Sequence, residues 1–281
     1  MTCEDFKNEL IQHTKSDFEF FSKFQNIIIE LTDAMHEAFK KNSIKYYAMY
    51  GSLLGLIRDH GIIPWDSDCD VVISVSDVEK AHEALQKDLP EDMYIVSNLT
   101  SEEFRYNQIR VCKKGYDHAL HVDIYYCYGV PEEGPERNAF KRKAQKLYKM
   151  KSKKNEGYVP TDSKIRNMAR KANVIRYKLK YALVSNKSIC RRSEKLLHKY
   201  PLETSKYCAC FSEEFHPLEK AYFGTPVEFD YDGHKIMIPE HPDYFLKSFF
   251  GNYNEYLSFE ERYKEYKKGL ERLHKVERNK K

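Results

Sequence analysis

Apolar residues recur at intervals of three and four from Phe18 to Phe39, which predicts one long amphipathic helix with Phe20, Phe21 and Phe24 turned to a core. An apolar and aromatic run from Tyr46 to Tyr50 ends at Gly51-Ser52, which begins the helix-like LLGLIR. Val71, Val72 and Ile73 then follow one another without a polar break, as in a strand buried on both faces. Ser76, with Glu79 three residues on, forms a capping-box pattern ahead of a helix from Val78 to Leu85. Short strands are expected at Tyr94–Ser97, Arg105–Val111 and His121–Tyr126, and a tight hairpin where Val227–Asp230 and His234–Ile238 flank Asp232-Gly233. Strand-helix alternation followed by consecutive strands predicts an α+β fold: a small mixed sheet flanked by helices.

Composition changes at Arg137. RNAFKRKAQKLYKMKSKKN is dense in Lys and Arg, and basic residues continue through Arg176, Lys178, Lys180, Arg191 and Arg192. Interleaved Leu147, Met150, Ile165, Ile175, Leu179 and Leu183 predict helices with one buried and one basic face, joined by a loop over 157–163. The chain therefore divides into a catalytic core (1–135), a basic helical region (136–215), and a C-terminal hairpin with helices packing back on the core (216–281). The basic faces are either ordinary solvated surface or a collar that attracts a nucleotide diphosphate, an anionic glycan or an anionic membrane surface. Net charge over the 281 residues is only +4, so nucleic acid is not an expected partner. Seven cysteines without a C-x-x-C pair suggest neither a disulfide framework nor a zinc ribbon. With no signal peptide and no apolar run long enough to span a bilayer, the expected location is the cytoplasm, with a peripheral position at the inner membrane face as its variant.

Candidate chemistry is concentrated between Tyr46 and Ile73. Asp66, Asp68 and Asp70 share one parity, so on an extended chain their carboxylates project to one side. Convergent carboxylates repel and raise one another's pKa unless a cation lies between them, and hard oxygen ligands suit Mg²⁺ or Mn²⁺. The plain alternative is an exposed acidic loop. Gly51 and Ser52 would let the backbone approach a phosphate. Asp123, in HVDIYY, is a polar residue in an apolar alternation. It reads as a third carboxylate that binds metal or takes a proton, or alternatively as half of a structural ion pair. His121 shares its face. Arg58 and Arg110 are candidate phosphate contacts, since Arg matches phosphate bidentately.

The order Gly-Ser, short helix, Asp-x-Asp, then a third Asp on a later strand resembles the nucleotidyltransferase superfamily, of which DNA polymerase β is a member. GSLLGLIRDHGIIPWDSDCDV is more closely similar to the LicD family of phosphotransferases, to which the fukutin-related proteins are similar. That family reads G-[ST]-L-L-G-x-x-R-x-x-G-x-I-P-W-D-x-D-x-D, and the chain matches it throughout. A second block, IPEHPDYFLKSFFGNYNEYL, resembles the family's later signature, with Phe250 where Tyr is usual and Asn252 where Asp is common. Ser67 stands where many relatives carry Asp. The resemblance spans roughly 44–127 and 220–257.

It implies a metal-dependent transferase that moves a phosphoalcohol, most commonly phosphocholine from CDP-choline, to a sugar hydroxyl of a glycan or glycolipid such as lipopolysaccharide, releasing CMP. It implies Asp68, Asp70 and Asp123 as catalytic and metal-holding residues, with Gly51, Ser52 and Arg58 on the donor. Arg110 joins them by position alone, and Asp66 and His121 are additional candidates. The alternatives are a nucleotidyltransferase that passes NMP to RNA, protein or a small molecule, and an inactive nucleotide- or glycan-binding relative.

Overall fold

A computed structural model describes residues 3–116, 118–158, 163–212 and 214–279. The chain opens with α1 (Cys3–Lys41), acidic in its first turn and basic in its last, as the helix dipole favours. The helix starts well before Phe18. Phe6 and Leu10 continue its apolar stripe and are fully buried, and Phe6 packs against Trp65 and Phe259, far along the chain.

β1 (Tyr46–Ala48) leads into α2 (Tyr50–Leu54), which passes into a π-helical turn over Gly55–Asp59. β2 (Cys69–Ser74) follows, then α3 (Val78–Asp88), β3 (Met93–Ser97), β4 (Gln108–Lys113) and β5 (His121–Val130). The basic stretch forms α4 (Pro135–Lys154), α5 (Lys164–Lys180) and α6 (Asn186–Leu197). After it come β6 (Tyr207–Cys210), β7 (Leu218–Glu219), the hairpin β8 (Val227–Tyr231) and β9 (His234–Ile238), α7 (Pro242–Phe250) and α8 (Phe259–Asn279).

The protein is therefore α+β, with a mixed central sheet in the order β1-β2-β5-β4-β3 and β6 and β7 added beside β5. Within that sheet β2 and β5 run parallel, and the other pairings are antiparallel. β6 lies inside the segment read as purely helical, so the sheet crosses the expected boundary between core and basic region. α1 lies across β4 and β5 and carries α3, α8 and the hairpin on its other sides. The buried Tyr46 hydroxyl joins three elements, since it lies 2.7 Å from His36 Nδ1 of α1 and accepts the Met237 N–H of β9 at 3.2 Å. The hairpin turns at Asp232 (φ 53°) and Gly233 (φ 82°), the positive angles that an Asp-Gly pair tolerates.

Several local expectations change. Ser76 does not cap α3. Ser74 accepts the Ser76 N–H in a preceding 3₁₀ turn, and the Ser76 hydroxyl donates to Glu203 instead. β4 starts at Gln108 rather than Arg105. In the basic region α4 buries Leu147 and Met150 as expected, but α5 buries nothing: Ile165, Met168, Ile175 and Leu179 are exposed. Of the loop expected at 157–163, residues 159–162 lie outside the described residues. No helix among the described residues is long and apolar enough to cross a membrane.

Candidate active site

Two glycines and a serine shape the approach to β2. The Met49 N–H donates to the Asp70 carbonyl (3.0 Å), and Ser52 Oγ accepts the Asp70 N–H (2.8 Å), so segment 49–52 clamps the Asp70 backbone from both sides. At Gly51 a Cβ would sit 2.8 Å from Asp66 Oδ2, and at Gly55 it would sit 2.5 Å from the Gly61 carbonyl oxygen. Loop 61–66 therefore folds down onto the α2 turn because neither position carries a side chain. Gln25 of α1 fixes that loop by donating to the Ile63 and Asp66 carbonyls at 3.0 and 2.8 Å.

Asp66 and Asp68 precede β2 in a loop, and only Asp70 lies on the strand. Strand alternation is therefore not what brings the three together: the loop's return onto Gly51 does so. Burial, and then Asp68, push the Asp66 carboxyl well above the ordinary range, against the opposing pull of the Ser67 N–H and Arg272. Burial also raises Asp70, followed by Asp68, Asp123 and Asp66, with Arg110 opposing. Such a donor set has more negative charge than its surroundings neutralise.

Across the parallel pair, Asp70 is the register partner of Asp123, and across β4 Asp123 faces Arg110. Three neighbouring strands thus carry a row of two carboxylates and a guanidinium. Arg110 Nε donates to Asp123 Oδ1 at 2.6 Å and Nη2 to Oδ2 at 2.8 Å, while His121 Nε2 lies 3.5 Å from Oδ2. Burial alone would raise the Asp123 carboxyl, but the His121 and Arg110 contacts outweigh it and hold the group far below the usual carboxylate range. The ion-pair alternative is thus present in the geometry, and both Asp123 oxygens are engaged.

The remaining candidates are placed differently. Arg58 is bound bidentately by Asp59 (3.0 and 2.8 Å), only 8% of its side chain is exposed, and its guanidinium lies 4.3 Å from the Tyr256 ring centroid. It ties the C-terminal signature to the π turn and is not turned toward the carboxylates by any of these contacts. His121 is anchored by the His118 carbonyl, 2.9 Å from Nδ1.

Arg272 of α8 was not legible from the motif. Its Nη2 contacts Ser67 Oγ, lies 3.3 Å from the Ser67 carbonyl, and comes within 4.0 Å of Asp68 Oδ2. Ser67 thereby anchors the C-terminal helix beside the acidic loop. A signal did exist: Arg262, Tyr266, Gly269, Leu273 and Val276 form a stripe at helical spacing, and its four side chains are buried.

The cavity bounded by Gly51, Ser52, Asp66, Asp68 and Cys69 is about 20 Å³, the room of one water-sized or ion-sized occupant. Among the described residues no group of three or more His, Cys, Asp or Glu side chains is arranged to hold a metal ion in this conformation. The chemistry of the set nonetheless fits a divalent cation: hard oxygens, partial burial and unrelieved mutual repulsion. A second cleft of about 440 Å³ is lined by Arg105, Tyr106, Tyr148, Lys149 and Lys153, and Tyr106 brings it within 5.4 Å of the Arg110 guanidinium. Carboxylates and cations thus meet across the Arg110–Tyr106 contact.

The mixed sheet carries acidic residues entering β2 beside a Gly-Ser turn, and a further Asp on the parallel neighbour. Residues 43–161 match the family described as "LicD/FKTN/FKRP, nucleotidyltransferase domain". The chain is 22% identical over 245 residues to the lipopolysaccharide cholinephosphotransferase LicD of Haemophilus influenzae, covering 82% of this chain and 89% of that protein. An uncharacterized protein of Rickettsia prowazekii is 39% identical over 87 residues, 31% of this chain and 30% of its own.

Proposed function

We propose that this protein is a divalent-metal-dependent transferase that moves a phosphoalcohol, phosphocholine from CDP-choline as the first choice, to a sugar hydroxyl of a glycan or glycolipid. The observation that carries this reading is the return of the loop bearing Asp66 and Asp68 onto Gly51-Ser52 at the entrance to the strand that carries Asp70, with the Asp123–Arg110 pair on the adjoining strands. Similarity to a cholinephosphotransferase over most of both chains supports the substrate class. The same reading places the enzyme in the cytoplasm, where CDP-activated donors and lipid-linked acceptors would reach it.

Asp68 and Asp70 would hold Mg²⁺ or Mn²⁺, with Asp66 as a further oxygen donor, and the ion would neutralise charge on the donor pyrophosphate. Arg105, Lys149 and Lys153 would bind the cytidylate phosphate in the basic cleft, with Tyr106 and Tyr148 offering ring faces to the nucleoside. The acceptor hydroxyl attacks the phosphorus that carries the alcohol. The bond from that phosphorus to the bridging oxygen breaks, and CMP leaves. Asp123 is a poor base while Arg110 grips it. An anionic donor competes for Arg110, and its release frees Asp123 to orient the hydroxyl and take its proton. Most of the acceleration would come from positioning and charge stabilisation.

The test is CMP release from CDP-choline with Mg²⁺, wild type beside Asp68→Ala and Asp70→Ala. Release that both substitutions abolish supports site and donor together. Release from CDP-ribitol alone keeps the chemistry and replaces the alcohol. Silence with every cytidine donor, together with intact Mg²⁺ binding, transfers the reading to nucleotidyl transfer.

A further inference from the structure

α5 is the element whose sequence pattern and environment disagree. A helix in a folded domain ordinarily turns its apolar stripe to the core. Here Ile165, Met168, Ile175 and Leu179 are 81, 73, 57 and 72% exposed, and Leu183, just beyond the helix, is fully exposed. At ~100° per residue the four helical positions fall within about 80° of arc, so they form one continuous stripe. The side turned to the protein is marked by half-buried Asn167, Val174 and Tyr177, on the opposite side of the helix. The stripe therefore points straight out.

Its borders are basic. Lys164, Lys171 and Lys178 run along one edge, Arg166, Arg176 and Lys180 along the other, and no Asp or Glu occurs between Ser163 and Ser185. The helix is seated on α4: Lys154 Nζ donates to the carbonyl of Tyr181, the C-terminal cap of α5, at 3.0 Å, and α4 is in turn tied to α6 by the side-chain amides of Asn155 and Asn186, which pair at 3.1 Å.

We infer that α5 is an interfacial helix that seats the protein on an anionic lipid surface, with the Ile165–Leu179 stripe in the acyl boundary and the two basic edges among acidic headgroups. Charge complementarity decides between occupants. A second copy docking stripe to stripe would bring two sets of like charges together with nothing between them. A lipid surface supplies apolar depth under the stripe and negative charge beside it, and the long Lys and Arg stems can extend from one to the other. α4 supplies both the seat of α5 and, through Tyr148, Lys149 and Lys153, one wall of the basic cleft. Docking would therefore bring that wall to the interface. The inference does not depend on the reaction proposed above.

The experiment is co-sedimentation of the full chain with phosphatidylcholine vesicles, with and without phosphatidylglycerol. Binding to the anionic vesicles is expected, weakening as salt is raised. It should fall about tenfold or more in Ile175→Ser with Leu179→Ser, and likewise in Lys171→Glu with Lys178→Glu. These sites are exposed, and unchanged circular dichroism confirms that the variants fold. As a second readout, Leu183→Trp should shift its emission to the blue on adding anionic vesicles. Failure of wild type to bind them, or undiminished binding by the Ile175/Leu179 variant, would overturn the inference. So would a wild-type dimer in lipid-free solution that the same variant dissolves, since the stripe would then belong to a second copy. CMP release from a soluble donor should be equal in wild type and these variants, so a failed membrane assay and a failed reaction are separable.

Discussion

Arg110 holds Asp123 through both carboxylate oxygens, and strand register sets the two residues opposite each other with Asp70 on the far side. One guanidinium, on β4, thus offsets part of the charge that β2 and β5 concentrate.

Removing that cation leaves a nearly buried carboxylate without its partner. Arg110→Gln is expected to destabilise the protein by about 3–5 kcal/mol at pH 7, read by urea or thermal unfolding. Asp123 has a depressed folded pKa, so its stabilising contribution is present above the unfolded Asp value of about 3.9 and is lost as pH falls through the folded one. The gap between wild type and variant should therefore be widest near neutral pH and narrow in acid, where protonation of Asp123 removes the cost of burying it without Arg110. A gap independent of pH down to the acid limit would count against the pairing.

Asp70 is the opposite case. Its raised folded pKa means that the folded protein holds a proton the unfolded chain has released, so stability without metal falls as pH rises from about 4 toward that value. Asp70→Asn should raise the metal-free melting temperature by a few degrees at pH 8 and make little difference near pH 4. It should also abolish any stabilisation by Mg²⁺ and lower CMP release by about 10²-fold or more. Retained stabilisation by Mg²⁺ in this variant would remove Asp70 from the ion site.

Gly51→Ala introduces a Cβ at 2.8 Å from Asp66 Oδ2. The expected cost is about 1–3 kcal/mol of stability, with a larger proportional loss of activity because the displaced atom belongs to the candidate site. Equal activity per folded molecule would show that Asp66 tolerates displacement.

Arg272 stands 4.0 Å from Asp68 with a side chain 40% exposed. Arg272→Ala should change stability by no more than about 1 kcal/mol, as for other solvent-screened pairs. Because it removes a positive charge from beside the carboxylates, divalent-ion affinity should rise about three- to tenfold, measurable by titration calorimetry. Weaker ion binding would mean that Arg272 shapes the loop more than it competes for it.

Much of this was legible in the sequence because it is local. Val71–Ile73 and the Asp-Gly turn state their conformation over a few residues, whereas the loop that carries Asp66 back onto Gly51 was not foreseen from the shared parity of the three Asp residues. The Arg110–Asp123 pair was visible only as two separate candidates, since strand register joins residues 13 apart. Arg272 and Arg262 were hidden for a similar reason: the spacing of Tyr266, Leu273 and Val276 reveals a buried face of α8, but which basic residues meet the acidic loop depends on where that face docks. Exposure of the α5 stripe has the same origin. Periodicity reveals that an apolar face exists, and tertiary packing decides what that face meets.

Trp65, the sole tryptophan, immediately precedes the acidic residues and lies between the chain's two ends. Phe6 of α1 meets its ring edge-on at 5.1 Å, and the buried guanidinium of Arg262 from α8 lies 5.5 Å from its centroid. The turn that presents Asp66 is therefore clasped by both termini. Purification tags or trimmed ends that disturb either helix would alter the candidate site itself, and the emission colour of this one indole would report the disturbance directly.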